Sequence, residues 1–245
     1  MTTRPLFLPL LPSEANTPGV RQEPIAFQWV PGFAKAQQAK CLRSLQSAIA
    51  QCALAAHPLE ISTRSNDPYG VALSALNLEL EGLPVELHYQ AAKVYPDGLG
   101  PHPQWLTMAE AERKAEMREV KTLVTQRALP LTAFYHAGRF WPLNPPHAFY
   151  DWLYCRALQA NPALAAELLT HDGFTDLAFN PTRSFNSQAY AAAFYASLHA
   201  FGCLTEALGD APRFFRLHPH EPLTHPKRNA PPRPHSQHVQ GEFNF

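Results

Sequence analysis

The chain has 245 residues, 20 Lys and Arg against 20 Asp and Glu, and 25 prolines. This length is sufficient for one large domain or two small ones with a substantial buried core. The formal net charge of zero excludes a protein that coats nucleic acid through overall positive charge, and a proline content about twice the ordinary value argues against one long helical bundle.

Charge and proline are distributed unevenly along the chain. Residues 211–245 contain seven prolines and five basic residues against two acidic ones, whereas the residues before them carry 15 basic and 18 acidic side chains. We therefore expect three parts: an N-terminal extension over residues 1–24, a folded domain over residues 25–208, and a Pro/His-rich basic tail over residues 209–245.

Periodicity predicts one helix and two short strands in the first third of the domain. Apolar residues recur at helical spacing over residues 33–56, and His57-Pro58 ends that pattern. Residues 59–66 have the composition of a short strand that runs into a polar loop. Apolar and polar residues alternate over residues 76–81, as in a half-buried strand.

The rest of the domain is predicted to be mainly helical. Pro84 opens a helix to about Tyr95, and Thr107 with Glu110 forms a capping-box pattern for a helix to about Ala128. A strand is predicted over residues 131–137, and further helices are predicted to begin near residues 145, 162 and 186. The fold class is therefore α+β, a helix-dominated single domain around a small sheet.

The four cysteines have no metal-ligand spacing. Cys41 and Cys52 would lie roughly 16 Å apart along one helix, too far for a disulfide. We expect reduced core thiols and a cytoplasmic location. No apolar run approaches the length of a membrane span, and prolines interrupt the N-terminal apolar stretch, so we expect neither a membrane partner nor a signal peptide.

The segment PVELHYQAAK, residues 84–93, carries the densest set of reactive groups. On a helix, Glu86, Gln90 and Lys93 share one face because they are four and three residues apart. One interpretation is an exposed polar stripe. In a dry cleft, instead, Glu86 would act as a general base and Lys93 would have a lowered pKa.

Two polar loops and a group of aromatic residues are further candidates for binding a ligand. The segment from residue 62 to residue 77 is rich in hydroxyls and amides that bind phosphates, or it is an ordinary polar turn; its candidates are Ser62, Arg64, Ser65, Ser74 and Asn77. At the start of the last predicted helix the candidates are Asn180, Arg183 and Asn186, with helix capping as the alternative. Trp141 and Trp152 would stack on a base or lie in the core.

No motif for a metal or a cofactor is present. The tail histidines, which include His218, lack zinc spacing, and the Walker loop, GxGxxG, HExxH and GxSxG are absent. We therefore expect no metal and no cofactor.

Three segments resemble signatures of the NADAR family. PVELHYQAAK is similar to VEHYYQAxKA, with matches at Val85, Glu86, Tyr89, Gln90, Ala91 and Lys93. LSALN is similar to the family's SPFSNF segment and places Asn77 at its Asn. SFNSQAYAAAFYASL is similar to the family's GxNxLGxxLM helix and places Asn186 at its Asn.

A more specific resemblance is to the divergent NADAR branch that is encoded beside DarT-type DNA ADP-ribosyltransferase toxins. The shared patterns are FxWxPGF (residues 27–33), WPLxPxxAFYDWLY (residues 141–154) and FTDxxFNP (residues 174–181). This resemblance implies a NADAR-like catalytic domain over residues 25–208. It also implies an ADP-ribosyl hydrolase that removes ADP-ribose from guanine bases of DNA and so acts as an antitoxin.

The resemblance also implies roles for individual residues. Glu86 would stabilise an oxocarbenium-like transition state and activate water, and Lys93 would protonate the departing base or form a Schiff base. The family's acidic residue with a WG motif before the last helix is absent here, and Asp172 and Asp176 are the acidic residues nearby. Asp176 is the third catalytic candidate.

The remaining candidates would hold the substrate. The diphosphate and ribose hydroxyls would bind Asn77, Gln90, Asn186 and Arg183; a base would stack on Tyr89, Trp141 or Trp152; and phosphate would contact Lys40. The implied partners are ADP-ribosylated single-stranded DNA as substrate, ADP-ribose as product, and a cognate ADP-ribosyltransferase toxin. Two other functions remain open: an N-glycosidase for a small riboflavin-pathway metabolite, and a non-catalytic antitoxin that binds its toxin or masks DNA.

Overall fold

A computed structural model of the protein describes residues 1–32, 34–179 and 186–218. Within these ranges the chain forms a mixed α+β single domain, as predicted. Its elements, in chain order, are β1 (Thr2–Pro9), β2 (Val20–Phe27), α1 (Lys35–Cys52), β3 (Pro58–Glu60), α2 (Pro68–Ala72), β4 (Glu79–Leu80), β5 (Leu83–Pro84), α3 (Val85–Ala91), β6 (Lys93–Val94), α4 (Glu110–Gln126), β7 (Ala133–His136), β8 (Arg139–Trp141), α5 (Ala148–Ala160), α6 (Pro162–Leu168), β9 (Gly173–Thr175), α7 (Gln188–Ala200), α8 (Leu204–Gly209) and α9 (Ala211–Arg216).

The largest sheet has the strand order β2-β1-β9-β3. β1 pairs antiparallel with both β2 and β9, and β9 pairs parallel with β3, so that Glu60 lies opposite Thr175. The structure differs here from the expected division of the chain, because residues assigned to an N-terminal extension form β1 and most of β2. Leu6 and Phe7 of β1 are fully buried. The three prolines that interrupt this apolar stretch in the sequence concealed the strand.

A short hairpin, β4–β5, leads directly into α3. Its two turn residues, Glu81 and Gly82, have φ angles of 54° and 78°. Positive φ angles at both turn residues correspond to a type I′ turn, and the backbone twist of this turn matches the twist of the two strands that it joins. After α3 the chain enters β6, which pairs with β7 through Lys93 and Phe134. The hairpin and the strand therefore fix both ends of α3.

The core lies between α5 and α7, which are buried along almost their whole length. Phe149, Tyr154 and Phe194 are among the largest fully buried side chains. The hydroxyl of Tyr154 donates a hydrogen bond to the carbonyl of Leu73 at 2.6 Å, which satisfies a polar group that would otherwise be costly to bury. The small residues of α7 allow close approach of the neighbouring elements.

Two local predictions are wrong in the first half of the chain. The half-buried strand expected over residues 76–81 is reduced to Glu79–Leu80, because Asn77 and Leu78 both donate backbone hydrogen bonds to Ser74 in a turn. The capping box expected for α4 is not formed, because Thr107 Oγ1 donates to the carbonyl of Gln104 instead.

The C-terminal boundary also differs from expectation. Residues 209–218, assigned to a solvated tail, include α9, and both Phe214 and His218 are buried. Residues 219–245 lie outside the described ranges. Cys41 and Cys155 are buried free thiols, as expected, whereas Cys52 is exposed. No helix in the part of the chain that the structure describes is long and apolar enough to cross a membrane.

Candidate functional site

The site is built on one face of α3. Val85, Leu87 and Ala91 are buried, and because these apolar positions anchor the short helix, Glu86 and Gln90 lie on a face that stays partly exposed. The backbone N–H of Glu86 donates to the carbonyl of Ala75 at 2.9 Å, which fixes the first turn of the helix. The helical face predicted from the sequence is therefore present.

A single amide side chain connects the acidic and basic groups of this face. Gln90 Nε2 donates to Glu86 Oε1 at 2.7 Å, and Lys93 Nζ donates to Gln90 Oε1 at 2.7 Å. This arrangement uses the donor side of the amide for the carboxylate and the acceptor side for the ammonium group. Gln90 thus holds both charged groups, and all three side chains stay partly exposed to solvent.

The protein environment shifts the pKa of both charged groups toward neutrality. Burial raises the pKa of Glu86 above its ordinary value, and the hydrogen bond from Gln90 and the charge of Lys93 oppose this rise. Burial lowers the pKa of Lys93, and the nearby positive charge of Lys121 adds to this effect while Glu86 opposes it. Carboxyl and amine groups tuned in these directions are typical of acid–base and nucleophilic catalysis.

The aromatic ring of Tyr89 lies beside Lys93 and packs against two other aromatic rings. Its ring centroid lies 4.8 Å from Lys93 Nζ, and it contacts the rings of Phe134 and Tyr150 at 5.2 and 5.3 Å. Burial raises the pKa of Tyr89, and a hydrogen bond with the side chain of Asn186 opposes this rise. The structure therefore brings together Glu86, Tyr89, Gln90, Lys93 and Asn186, five of the residues that the sequence singled out.

Asp176 does not join this group directly but forms a buried carboxyl pair with Glu60. Asp176 Oδ1 accepts hydrogen bonds from the backbone of Ala178 and Phe179, both at 3.0 Å. Glu60 accepts from Thr175 Oγ1 at 2.5 Å and from the backbone of Leu177 at 2.7 Å. Burial and repulsion from Glu60 raise the pKa of Asp176 to about 7.

Gln188 links the carboxyl pair to the start of α3. Its side chain hydrogen-bonds to Asp176, and its Oε1 accepts from the backbone of Ala75 at 2.8 Å. Ala75 in turn accepts the N–H of Glu86. Asp176 is thus connected to Glu86, the catalytic candidate on α3, through three hydrogen bonds, which fits a positioning role.

The loop candidates of residues 62–77 mainly stabilise their own turns. Ser62 is buried, accepts from the backbone of Arg64 and hydrogen-bonds to Glu60. Ser65 accepts from the backbone of Asp67, and the side chain of Asn77 donates to the carbonyl of Val71. Ser74 is 1% exposed, and Arg64 is exposed. None of these side-chain contacts reaches Glu86 or Lys93 among the described residues, and the segment meets Glu86 through the carbonyl of Ala75.

The two tryptophans and Lys40 lie elsewhere. Trp141 is only 2% exposed, packs against Trp152 at 4.5 Å and donates its Nε1–H to the carbonyl of His136. These rings belong to the core, so the expected stacking on a base does not fit their positions. Lys40 is exposed on α1. Asn180 and Arg183 lie outside the described residues.

Sequence reasoning missed Glu60, a buried neighbour of the functional site. Glu60 interrupts an otherwise apolar strand between Leu59 and Ile61, and such an interruption was the available signal for a buried acid. Gln188 is the first residue of α7 and Tyr150 lies within an aromatic run, so the sequence alone does not assign either residue to the site.

A second buried polar group ties α5 to the end of α9. Asp151 Oδ2 lies 2.8 Å from His147 Nδ1 and 3.1 Å from His218 Nε2, and His218 Nδ1 lies 3.0 Å from the carbonyl of Phe214. Burial alone would raise the pKa of Asp151, but the two histidines outweigh it and hold the pKa below its ordinary value. One ligand atom from each of the three side chains lies within 4.8 Å of the others, which is also compatible with a metal ion. The short separations are those of direct hydrogen bonds, so His218 is a core residue rather than part of a solvated tail.

The comparison with protein families identifies the relatives of the chain. The family model described as DarT1-associated NADAR antitoxin matches residues 2–228. No curated protein sequence matches the chain at a significant level. The match begins within β1, in agreement with the inclusion of the N-terminal strands in the domain.

Proposed function

The chain belongs to the family of DarT1-associated NADAR antitoxins, and we propose that it is an ADP-ribosyl glycohydrolase that removes ADP-ribose from guanine bases of single-stranded DNA. In this role it reverses the modification made by a cognate DarT-type toxin and releases ADP-ribose. The observation that supports the proposal is the network in which Gln90 joins Glu86 to Lys93. A purely structural polar stripe would not need two charged groups in a partly buried position.

Glu86 performs the central step. The bond between C1 of the distal ribose and the exocyclic nitrogen of guanine breaks, and positive charge develops on the sugar as in other glycosyl transfers. The carboxylate of Glu86 stabilises that charge and takes a proton from the attacking water. Its raised pKa makes it a stronger base than an ordinary glutamate, which favours this role.

Lys93 supplies either a proton or a nucleophile. As an ammonium group it protonates the nitrogen of the departing guanine. As a neutral amine it attacks C1 of the ring-opened ribose, to which guanine is still bound as an imine. Guanine then leaves as its free exocyclic amine, and one water hydrolyses the resulting Schiff base on Lys93. Borohydride reduction distinguishes the two roles, because only the second produces a stable sugar adduct on Lys93.

The other residues hold the substrate or the site. Tyr89 and Asn186 lie beside the two charged groups and are suited to contact the ribose or the base. Asp176 and Glu60 brace the turn at residues 176–179 and, through Gln188, the start of α3. Asn180 and Arg183 remain proposed substrate ligands on the basis of the sequence alone.

Neutralisation of the toxin in cells tests the proposal against the two alternatives. We expect Glu86→Gln to fail to protect cells that express a DarT-type toxin, whereas Glu79→Gln, an exposed carboxylate seven residues earlier, protects as well as the wild type. Equal protection by Glu86→Gln would support a non-catalytic antitoxin. Hydrolysis of a riboflavin-pathway N-glycoside that modified DNA does not inhibit would support a small-metabolite enzyme.

A further inference from the structure

Helix α4 carries two opposed rows of charge. Lys114, Arg118 and Lys121 are spaced at four and three residues, so they form one row along the helix. Glu112, Glu116 and Glu119 repeat the same spacing two residues earlier. At 3.6 residues per turn this acidic row lies about 160° around the helix from the basic row. Apart from Glu110 and Arg113, the charges of α4 are therefore separated onto two flanks, although the helix is neutral in total.

Packing fixes the direction in which the two flanks point. Met117 and Val120 of α4 pack against a buried cluster formed by Leu87 and Ala91 of α3 together with Trp105. On the acidic flank, Glu116 accepts a hydrogen bond from Gln104 at 2.9 Å. The helix is thus held beside the element that carries the candidate catalytic groups, and the basic flank faces away from Gln104.

Two cations of the basic row, Arg118 and Lys121, form no ion pair within the described ranges. Lys114 is paired with Glu110 at 2.6 Å, so its charge is locally compensated. Arg118 and Lys121 are exposed, and neither forms an ion pair with any residue in the described ranges. Lys121 lies close enough to the site for its charge to affect Lys93.

We propose that the Arg118–Lys121 flank of α4 binds the sugar–phosphate backbone of the DNA strand next to the modified guanine. This inference rests on the proposed function, because it names the surface that receives the rest of the substrate. Unpaired cations beside the proposed catalytic site are complementary in charge to the phosphates of a DNA strand. Contacts to phosphates position a nucleic acid without reading its sequence. The acidic flank of the same helix repels the strand and so selects one side.

Two substrates separate the backbone contact from the chemistry. One is ADP-ribosylated guanosine, which has the modified base but no flanking strand, and the other is a single-stranded oligonucleotide with one ADP-ribosylated guanine. The double variant Arg118→Ala/Lys121→Ala is compared with Glu112→Ala/Glu119→Ala, which removes two exposed charges from the opposite flank of the same helix.

We expect the basic-flank variant to raise KM for the oligonucleotide about fivefold to tenfold at low salt and to leave KM for the nucleoside unchanged. Loss of the Lys121 charge also acts on the pKa of Lys93, and this effect changes kcat by the same factor for both substrates. For this variant, a plot of the logarithm of the binding constant against the logarithm of the salt concentration should have a slope that is shallower by about 1.4. This corresponds to about 0.7 for each of the two lost phosphate contacts. The acidic-flank variant should bind the oligonucleotide no more weakly than the wild type. Binding of the unreacted modified oligonucleotide, measured by fluorescence polarisation, gives the same comparison without turnover.

The inference is overturned if the wild type and the basic-flank variant bind and hydrolyse the oligonucleotide alike, or if the variant raises KM for the nucleoside to the same degree. Circular dichroism and thermal unfolding exclude misfolding as the cause of a loss. Failure of the proposed function is distinct, because the wild-type protein would then release ADP-ribose from neither substrate.

Discussion

Gln90 Nε2 lies 2.7 Å from Glu86 Oε1, and this contact orients the carboxylate whose proton transfer the proposed reaction requires. The same amide accepts from Lys93 on its other side. Because one planar group holds both charged residues, the separation of acid and base is set by a side chain that need not react. The site can therefore be perturbed without removal of either charged group.

Replacement of Gln90 by Met should reduce kcat on the modified oligonucleotide about tenfold to a hundredfold. Met has a similar length but neither donates nor accepts strongly, and a hydrogen bond to a charged group contributes about 1.5–3 kcal/mol. The measurement is steady-state kinetics of ADP-ribose release. Gln126→Met, at the exposed end of α4, is the matched control and should keep wild-type rates. A Gln90→Met enzyme with unchanged kcat would show that the network does not position the reacting groups.

The acid limb of the pH profile of kcat/KM should lie at a higher pH than the limb that a glutamate with an ordinary pKa would produce. Glu86 must be ionised to act as a base, and burial raises its pKa, so activity is lost as the pH falls through that raised pKa rather than near 4.5. Glu86→Asp should retain a shifted acid limb with a lower maximum. An acid limb at the ordinary glutamate pKa would contradict the assignment.

The basic limb distinguishes the two roles of Lys93. Burial lowers the pKa of this amine below 10.5. If Lys93 donates a proton, activity declines as the pH rises through the lowered pKa. If Lys93 is a nucleophile, activity instead increases through the same range, because only the neutral amine attacks. The pH dependence of Lys93→Arg, which stays protonated, should lack this transition in either case.

The sequence predicted the chemical face of the site well because that face depends on local spacing. A helix with polar residues at positions 86, 90 and 93 brings those groups together whatever surrounds it. The same reasoning explains why the start of α6 was predicted to the residue and why α1 was predicted in place, although α1 ends at Cys52 rather than near residue 56.

Long-range pairing could not be read from the same patterns. β1 is a central strand only because β9, more than 160 residues later, pairs with one of its edges. The pairing of Glu60 with Asp176 depends on that sheet. The burial of His218 depends in the same way on the packing of α5 with α9. Periodicity reports which side of an element is apolar but not which element covers it.

Asp176→Asn should change how stability depends on pH. The folded-state pKa of Asp176 is about 7, above its ordinary value of 3.8, so the protonated form is favoured in the folded protein. Stability from this group is fully present below pH 3.8 and is lost as the pH rises toward 7, by at most about 1.4 kcal/mol for each pH unit. Asn keeps the oxygen that accepts from Ala178 and Phe179 and cannot ionise. The variant should therefore gain stability relative to the wild type between pH 4 and 7.

Urea unfolding at several pH values measures this difference. Asp172→Asn is the control, because Asp172 also accepts two backbone N–H groups, from Ala56 and His57, but is exposed. A wild-type and Asp176→Asn pair with parallel stability curves across this range would show that Asp176 is not held protonated in the folded state.

Asp151→Asn should destabilise the protein by about 3–5 kcal/mol near neutral pH, because it removes the common partner of two buried histidines. The pKa of Asp151 is held low, so its contribution is present above the ordinary aspartate pKa and is lost only as the pH falls below that value. Thermal unfolding measures the change. Asp97→Asn, in an exposed turn whose positive φ Asn tolerates, should have little effect. An Asp151→Asn protein as stable as the wild type would exclude a structural role for the cluster.

The most direct test is the mass of a single-stranded oligonucleotide that carries one ADP-ribosylated guanine, measured before and after incubation with the protein. The account predicts that the wild type returns the oligonucleotide to its unmodified mass and releases ADP-ribose, whereas Glu86→Gln and Lys93→Ala leave the modified mass in place. Unchanged mass with the wild type, or full reversal by both variants at the wild-type rate, would contradict the account.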